Sequence, residues 1–273
     1  MYIVDILLYR LKTNIFSLYM ICPKDNCLVE ICCGSADDVI AAYEAGADRA
    51  ELNSDLFHGG LTPTVGELMT AKKHANIKIL TMIRPREGGF CYTDAEFETA
   101  QADAEILLAN GSDGIVCGFL NSDGTVNEKR CAKLKIIADK YNKEIVFHRA
   151  FDVVPNWKYA MDSLAAMGFN RILTSGQMPN VFEATDTIKD MIEYANGRIE
   201  ILPGAGITLQ NAVKFVNLTG CKQIHLARHK VCYDLSVTNN NDIFYGGALY
   251  PPEDRYSVID KDYISTVCAD VKG

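Results

Sequence analysis

The sequence predicts an α/β fold: a single barrel of eight parallel strands, each followed by a helix, with an N-terminal extension ahead of it and an irregular C-terminal tail. Three observations carry this. From Leu28 onward, short β-rich runs alternate with amphipathic helical stretches, as parallel strands joined by crossovers require. The helix ends repeat: Gly46-Ala47-Asp48, Gly111-Ser112-Asp113, Gly168-Phe169-Asn170 and Gly220-Cys221-Lys222 each close a helix and open a strand, and glycine suits the left-handed C-cap. The intervening helices end at Asn76, Asn142 and Asn196-Gly197, so two kinds of turn alternate, a rhythm that suits a closed ring better than an open sheet. An open doubly wound sheet is the alternative. Its Gly-rich first turn is missing, since the first turn reads Cys32-Cys33-Gly34-Ser35, and no G-x-x-x-x-G-K-[ST] loop occurs.

Strands are expected at Leu28–Cys33, Arg49–Asn53, Lys78–Ile83, Gly114–Cys117, Glu144–His148, Arg171–Thr174, Glu200–Leu202 and Gln223–Ala227. Helices are expected at Ala36–Ala45, Val65–Ala75, Ala95–Asn110, Glu128–Tyr141, Lys158–Met167, Phe182–Ala195 and Leu209–Thr219. Beyond Leu226 the pattern loosens. Thr238-Asn239-Asn240-Asn241, Gly246-Gly247 and Pro251-Pro252 predict a long loop over 228–257, after which a helix at Lys261–Ala269 packs back on the barrel. No linker separates two domains, so 28–273 reads as one barrel domain. Residues 1–27 read as an extension or an overlong translation start, with Met20 as the alternative beginning. Asp5, Arg10, Lys12 and Asn14 interrupt its apolar run, and Ile21-Cys22-Pro23 is a poor secretory cleavage site.

With 273 residues and 48% hydrophobic content, the chain can bury a large core. A net charge of −8 leaves no basic stripe for nucleic acid and gives no support to an anionic membrane as partner. The ten cysteines show no compact paired spacing, and Cys32, Cys33 and Cys117 sit inside apolar runs, which predicts free thiols in a cytoplasmic protein. Neither Cys22/Cys27 nor Cys32/Cys33 forms a zinc-ribbon pattern.

Parallel barrels build their chemistry where the strands end. Side chains alternate along a strand, so Glu30 shares a face with Cys32, and Glu51 with Asn53. A carboxylate against the helix layer would be buried without partners, so these faces are expected to point inward. Two inward glutamates require a cation, an Arg or a shared proton between them. His148 shares a face with Val146, and His225 with Gln223; two histidines and two glutamates at one mouth can hold a metal or divide acid and base roles. The run Phe147-His148-Arg149-Ala150-Phe151-Asp152 places an imidazole, a guanidinium and a carboxylate at one strand exit, with Asp152 expected to orient His148 or Arg149. Glu30, Glu51, His148, Asp152 and His225 are therefore the candidate acid, base or metal-binding residues. Arg84 and Arg86 suit an anion clamp, and Arg84 alternatively neutralises Glu30 or Glu51. Arg149, the hydroxyls of Thr174-Ser175-Gly176 and the Gly204-Ala205-Gly206 turn are the further anion contacts, the last ahead of a helix capped by Thr208. On these residues alone, an enzyme for a small anionic or phosphorylated metabolite (a lyase, isomerase or epimerase) is the favoured reading.

The same segments resemble the CutC family, named for copper homeostasis. Val29-Glu30-Ile31-Cys32, Gly46-Ala47-Asp48-Arg49-Ala50-Glu51-Leu52, Gly59-Gly60-Leu61-Thr62-Pro63, Met82-Ile83-Arg84-Pro85-Arg86, Phe147 to Asp152, Arg171 to Gly176 and Pro203-Gly204-Ala205-Gly206 carry the resemblance, in order, over Leu28 to Ala227. It implies a TIM barrel, a cytoplasmic homo-oligomer (dimer or tetramer) and Cu(I) as ligand. Cysteines at the first and second strand ends are the ligands that the resemblance implies. Here the first is Cys32, with Cys117 or His148 assisting, and the second position holds Asn53.

Overall fold

The computed structural model describes residues 27–240, 242–246 and 251–273. The expected extension, with its alternative start at Met20, lies outside the described residues except for Cys27. The barrel runs β1 (Leu28–Cys33), α1 (Ala36–Glu44), β2 (Arg49–Leu52), α2 (Val65–His74), β3 (Lys78–Ile83), α3 (Asp94–Ala109), β4 (Gly114–Cys117), α4 (Glu128–Lys140), β5 (Glu144–Phe147), α5 (Trp157–Ala166), β6 (Arg171–Thr174), α6 (Thr185–Ala195), β7 (Glu200–Pro203), α7 (Ala212–Thr219) and β8 (Gln223–Leu226). The strands pair in parallel in the order β7-β6-β5-β4-β3-β2-β1-β8, a TIM barrel. Where β7 meets β8, the Gln223 side-chain amide donates to the Ile201 carbonyl at 3.4 Å.

Local chemistry explains the helix starts. Thr64 and Thr93 each form a capping box, with Glu67 and Glu96, and the Ser35, Asn127 and Asn156 side chains accept from first-turn N–H groups. The repeated turn has a physical purpose. Asp48, Asp113 and Asn170 each use a side-chain oxygen to accept the N–H of Val29, Ile79 and Ile145, residues on the preceding strand, at 2.8 to 2.9 Å. These three staples fix neighbouring strands at the barrel floor.

The C-terminal region departs from expectation. Instead of an irregular loop, β9 (His229–Tyr233) and β10 (Arg255–Ile259) form an antiparallel hairpin. It leads into α8 (Lys261–Lys272), which packs between α1 and α7 as the eighth helix of the ring. Two starts are also later than expected: α6 begins at Thr185, and α7 at Ala212, so Thr208 does not cap it.

Two apolar layers result. Leu80, Met82, Val116, Val146, Leu173 and Leu202 fill the barrel, while a larger core that includes Cys33, Cys117 and Phe147 lies between strands and helices. The barrel filling is incomplete on the side of β1, β2 and β8, where polar residues take over.

Candidate functional site

A chain of polar side chains climbs through the barrel from its floor to its mouth. Lys78 pairs with Glu144 at 2.7 Å, Arg171 joins Glu144 and Glu200 at 3.3 and 3.0 Å, and Gln223 donates to Glu200 at 3.1 Å. Arg49 then donates to Gln223 at 2.8 Å and pairs with Glu30, whose other oxygen meets His225 Nδ1 at 2.7 Å. His225 Nε2 ends the chain 3.9 Å from Glu51. Arg49, Gln223 and Arg171 were not among the residues singled out from sequence. Each stands two positions before an inward residue, which is the signal that strand alternation offered.

At the top of this chain Cys32, Glu51 and His225 each offer one donor atom, and the three atoms lie within 4.8 Å of one another. β1, β2 and β8 are neighbours in the ring, and alternation turns all three side chains inward. Asn53 braces the group, its amide donating to Glu51 at 3.0 Å and to Cys32 Sγ at 3.6 Å. Gly60 makes room for Asn53: a Cβ there would lie 2.5 Å from Asn53 Oδ1, and its φ of +86° disfavours any other residue.

Electrostatics separate the two glutamates. Burial pushes Glu30 up, but the Arg49 guanidinium and the His225 hydrogen bond more than offset it and bring the carboxyl down to about 2. Glu51 has no guanidinium partner among the described residues; burial raises it, with His225 opposing and the Glu30 charge adding. Burial also lowers His225, but the charges of Glu51 and Glu30 outweigh this and raise it. Burial, then the Glu51 charge, pushes the Cys32 thiol well above its ordinary value. One Glu51 oxygen, Oε1, is buried with no hydrogen-bond partner.

This donor set fits a transition-metal ion. The thiol is soft, the imidazole borderline, and the orphaned carboxylate oxygen supplies an unused acceptor. His225 is held as metal-binding histidines usually are, its far nitrogen tied to a carboxylate, here Glu30. Asn53 occupies the place where the family resemblance implies a second cysteine. Cys117 cannot assist, because it follows the inward Val116 by one residue and is fully buried between strand and helices.

The cluster opens into a cavity of about 640 Å³ at the C-terminal ends of the strands. Its wall also carries Arg84, Phe90, His148, Arg149, Ala205 and Gly206. His148, at the end of β5, stands across the ring from β1. Its Nδ1 accepts the Ala150 N–H at 3.0 Å, and Nε2 is buried with no partner. Burial and the Arg84 charge lower this imidazole to about 3, so it is neutral near pH 7.

The expected anion contacts divide between those on the cavity wall and those engaged elsewhere. Arg84 pairs with neither Glu30 nor Glu51; it donates to the carbonyls of His58, Gly60 and Gly88 at 2.9 to 3.0 Å. Arg86 lies off the cavity, bound to Glu96 at 2.7 Å and to loop carbonyls, so no two-arginine clamp forms. Asp152 orients Arg149, at 2.8 Å, and not His148. Asp152 also accepts from Thr174, Ser175 and the Gln177 N–H, while Gly176 donates to Thr174, so the 174–176 turn builds the β5–β6 loops and does not face the cavity. Gly204 packs against Leu173 and His225, below the Ala205 and Gly206 that reach the cavity wall. After that turn, the N–H groups of Thr208 and Leu209 are taken by Asn211 and Tyr263.

Comparison with known proteins agrees with this architecture. Residues 27–230 match the sequence model of the CutC family. A family protein CutC from Treponema denticola is 50% identical over 242 residues, covering 89% of this chain and 98% of the relative. The copper homeostasis protein cutC homolog of Homo sapiens is 36% identical over 245 residues, covering 90% and 89%. A CutC crystal structure from Streptococcus agalactiae superposes with a TM-score of 0.69 at 35% identity, over 73% of this chain and 97% of that one. A phosphoribosylanthranilate isomerase from Thermotoga maritima, 13% identical with a TM-score of 0.51 over 90% of this chain and 98% of that one, shares the fold alone.

Proposed function

Since this chain belongs to the CutC family, we propose that it binds copper as Cu(I), through Cys32, Glu51 and His225 at the mouth of the barrel. One observation carries the reading: three donors of the right chemistry converge within 4.8 Å on three adjacent strands. Glu30 supports the site from behind by holding His225 Nδ1, and Arg49 keeps Glu30 ionised. Copper bound here would displace the Cys32 proton and lift the penalty on burying the Glu51 charge. The homologue named for copper homeostasis supports copper as the ion, and the thiol supports its reduced state. Family resemblance also supports a cytoplasmic homo-oligomer, dimer or tetramer, which light scattering on the purified protein reads directly. Lyase, isomerase or epimerase chemistry is no part of this reading, because Arg86 and the 174–176 turn do not face the cavity.

The test is Cu(I) titration in competition with a chromophoric chelator, on the wild type, Cys32→Ser, His225→Gln and Cys117→Ser. The proposal expects one site, lost or weakened by about tenfold or more in the first two variants and retained in Cys117→Ser. Unchanged affinity in Cys32→Ser would remove it.

A further inference from the structure

We propose that the opposite wall of the same cavity binds a small organic carboxylate, with Arg84 and the Nε2–H of His148 as its donors. The inference does not rest on the copper reading, since it uses different residues, just past the ends of β3 and β5.

Arg84 is 7% exposed and lines the cavity. Among the described residues no carboxylate lies within ion-pair distance of it, and its partners are the neutral carbonyls of His58, Gly60 and Gly88. Its Nε–H is buried with no acceptor at hydrogen-bond geometry, and the Tyr92 hydroxyl beside it is likewise buried and unpartnered. A buried guanidinium without a counter-charge is costly, and an anion entering from the cavity would offset that cost. His148, 4% exposed, stands on the same wall with a second unmet donor. Because its Nδ1 accepts from Ala150, the single proton of the neutral ring belongs on Nε2. The ring is thus set up as a neutral hydrogen-bond donor. A Cβ on Gly118 would come within 2.3 Å of this imidazole, so the chain gives up a side chain to seat it. Phe90 packs against both donors, with ring centroids 4.8 Å apart for His148 and the Arg84 guanidinium carbon 5.6 Å from the centroid. That apolar cover raises the cost of leaving the two N–H groups without an acceptor.

Charge decides the class of ligand. Arg149 is matched by Asp152 and His148 is neutral, so this wall offers the single positive charge of Arg84. A monoanionic carboxylate balances it, whereas a phosphate dianion would leave a buried negative charge. The N–H groups of Thr208 and Leu209, which open the helix end of the 204–209 turn, add nothing to a dianion, because they are already bonded within the protein. A volume of 640 Å³ suits a metabolite-sized molecule.

The test is calorimetric and NMR titration of the full chain, kept metal-free with a chelator, using acetate, lactate, inorganic phosphate and glycerol 3-phosphate as probes. The proposal expects at least one carboxylate to bind more tightly than either phosphate. It also expects that ligand to shift the His148 Nε2 resonance in a long-range ¹H–¹⁵N spectrum of a ring recorded as the neutral Nε2–H tautomer. Arg84→Gln should weaken that binding about 10- to 100-fold. Because Arg84 also braces three loop carbonyls, His148→Gln and the wild-type NMR shift provide readouts that survive if Arg84→Gln does not fold. No carboxylate binding at millimolar concentration, phosphate binding more tightly than every carboxylate, or an unmoved His148 resonance in the saturated protein would each overturn it. A failure of copper binding would leave these results readable, since no metal is present.

Discussion

Replacing Arg49 with methionine strips the cation from a carboxylate that has no access to water. The Arg49 and Glu30 side chains are 5% and 3% exposed. With Arg49 in place, Glu30 titrates at about 2 instead of its ordinary 4.5, which favours the folded anion by about 3 kcal/mol. That net value includes His225 as well as Arg49, and removing one partner of a buried pair costs about 3–5 kcal/mol, which sets the scale for Arg49→Met. The sign follows from linkage. A carboxyl lowered by folding stabilises the protein fully above pH 4.5, and that contribution is lost as the pH falls towards 2. Arg49→Met should therefore lie about 3 kcal/mol below the wild type at pH 7 in urea unfolding, with the gap closing on acidification below pH 4.5. The melting point should fall by about 6–12 °C. Arg49→Met/Glu30→Gln should recover part of the loss, because no unpaired charge stays buried. A gap under about 1 kcal/mol at pH 7, or one that does not change with pH, would refute the reasoning.

Other consequences follow from the same geometry. Glu30→Gln, which keeps the shape but weakens the grip on His225, should reduce copper affinity about 10- to 100-fold in chelator competition. Copper affinity should rise at least about tenfold per pH unit near neutrality, since the raised Cys32 thiol must release its proton to bind and any proton on the raised His225 must leave too; a flat profile in the same assay would count against the thiolate. In the metal-free protein, iodoacetamide at neutral pH should modify exposed Cys91 well before Cys32, read by peptide mass spectrometry. Gly118→Ala should cost about 1–3 kcal/mol in urea unfolding, because its new methyl would meet the His148 ring and Ala150.

Much of the fold and part of the site were legible in the sequence. Strand alternation placed Glu30, Cys32, Glu51, His148 and His225 on the barrel interior, because a period of two is strict and a buried carboxylate tolerates few surroundings. The same rule could have found Arg49, Gln223 and Arg171. They sit at strand starts, where a polar residue is easily taken for a solvated one. Arg84 could not be resolved this way, because its partners are backbone carbonyls on the loops after β2 and β3, and no side-chain pattern announces them. Asp152 satisfies Arg149 and the 174–176 turn together, a closure of loops from two strands that local spacing does not encode. The β9–β10 hairpin escaped because its strands are separated by 21 residues rich in turn formers, far beyond the tight connections that mark a hairpin in sequence. Thr208 looked like a cap because Ser/Thr before an apolar run usually is one, but Asn211 took its N–H and delayed the helix.

X-ray absorption at the copper edge of the Cu(I)-loaded wild type addresses the mouth cluster most directly. Cys32, Glu51 and His225 as ligands predict a single sulfur scatterer together with nitrogen or oxygen, and loss of that sulfur shell in Cys32→Ser. Two sulfur scatterers, or a sulfur shell that survives Cys32→Ser, would contradict the site.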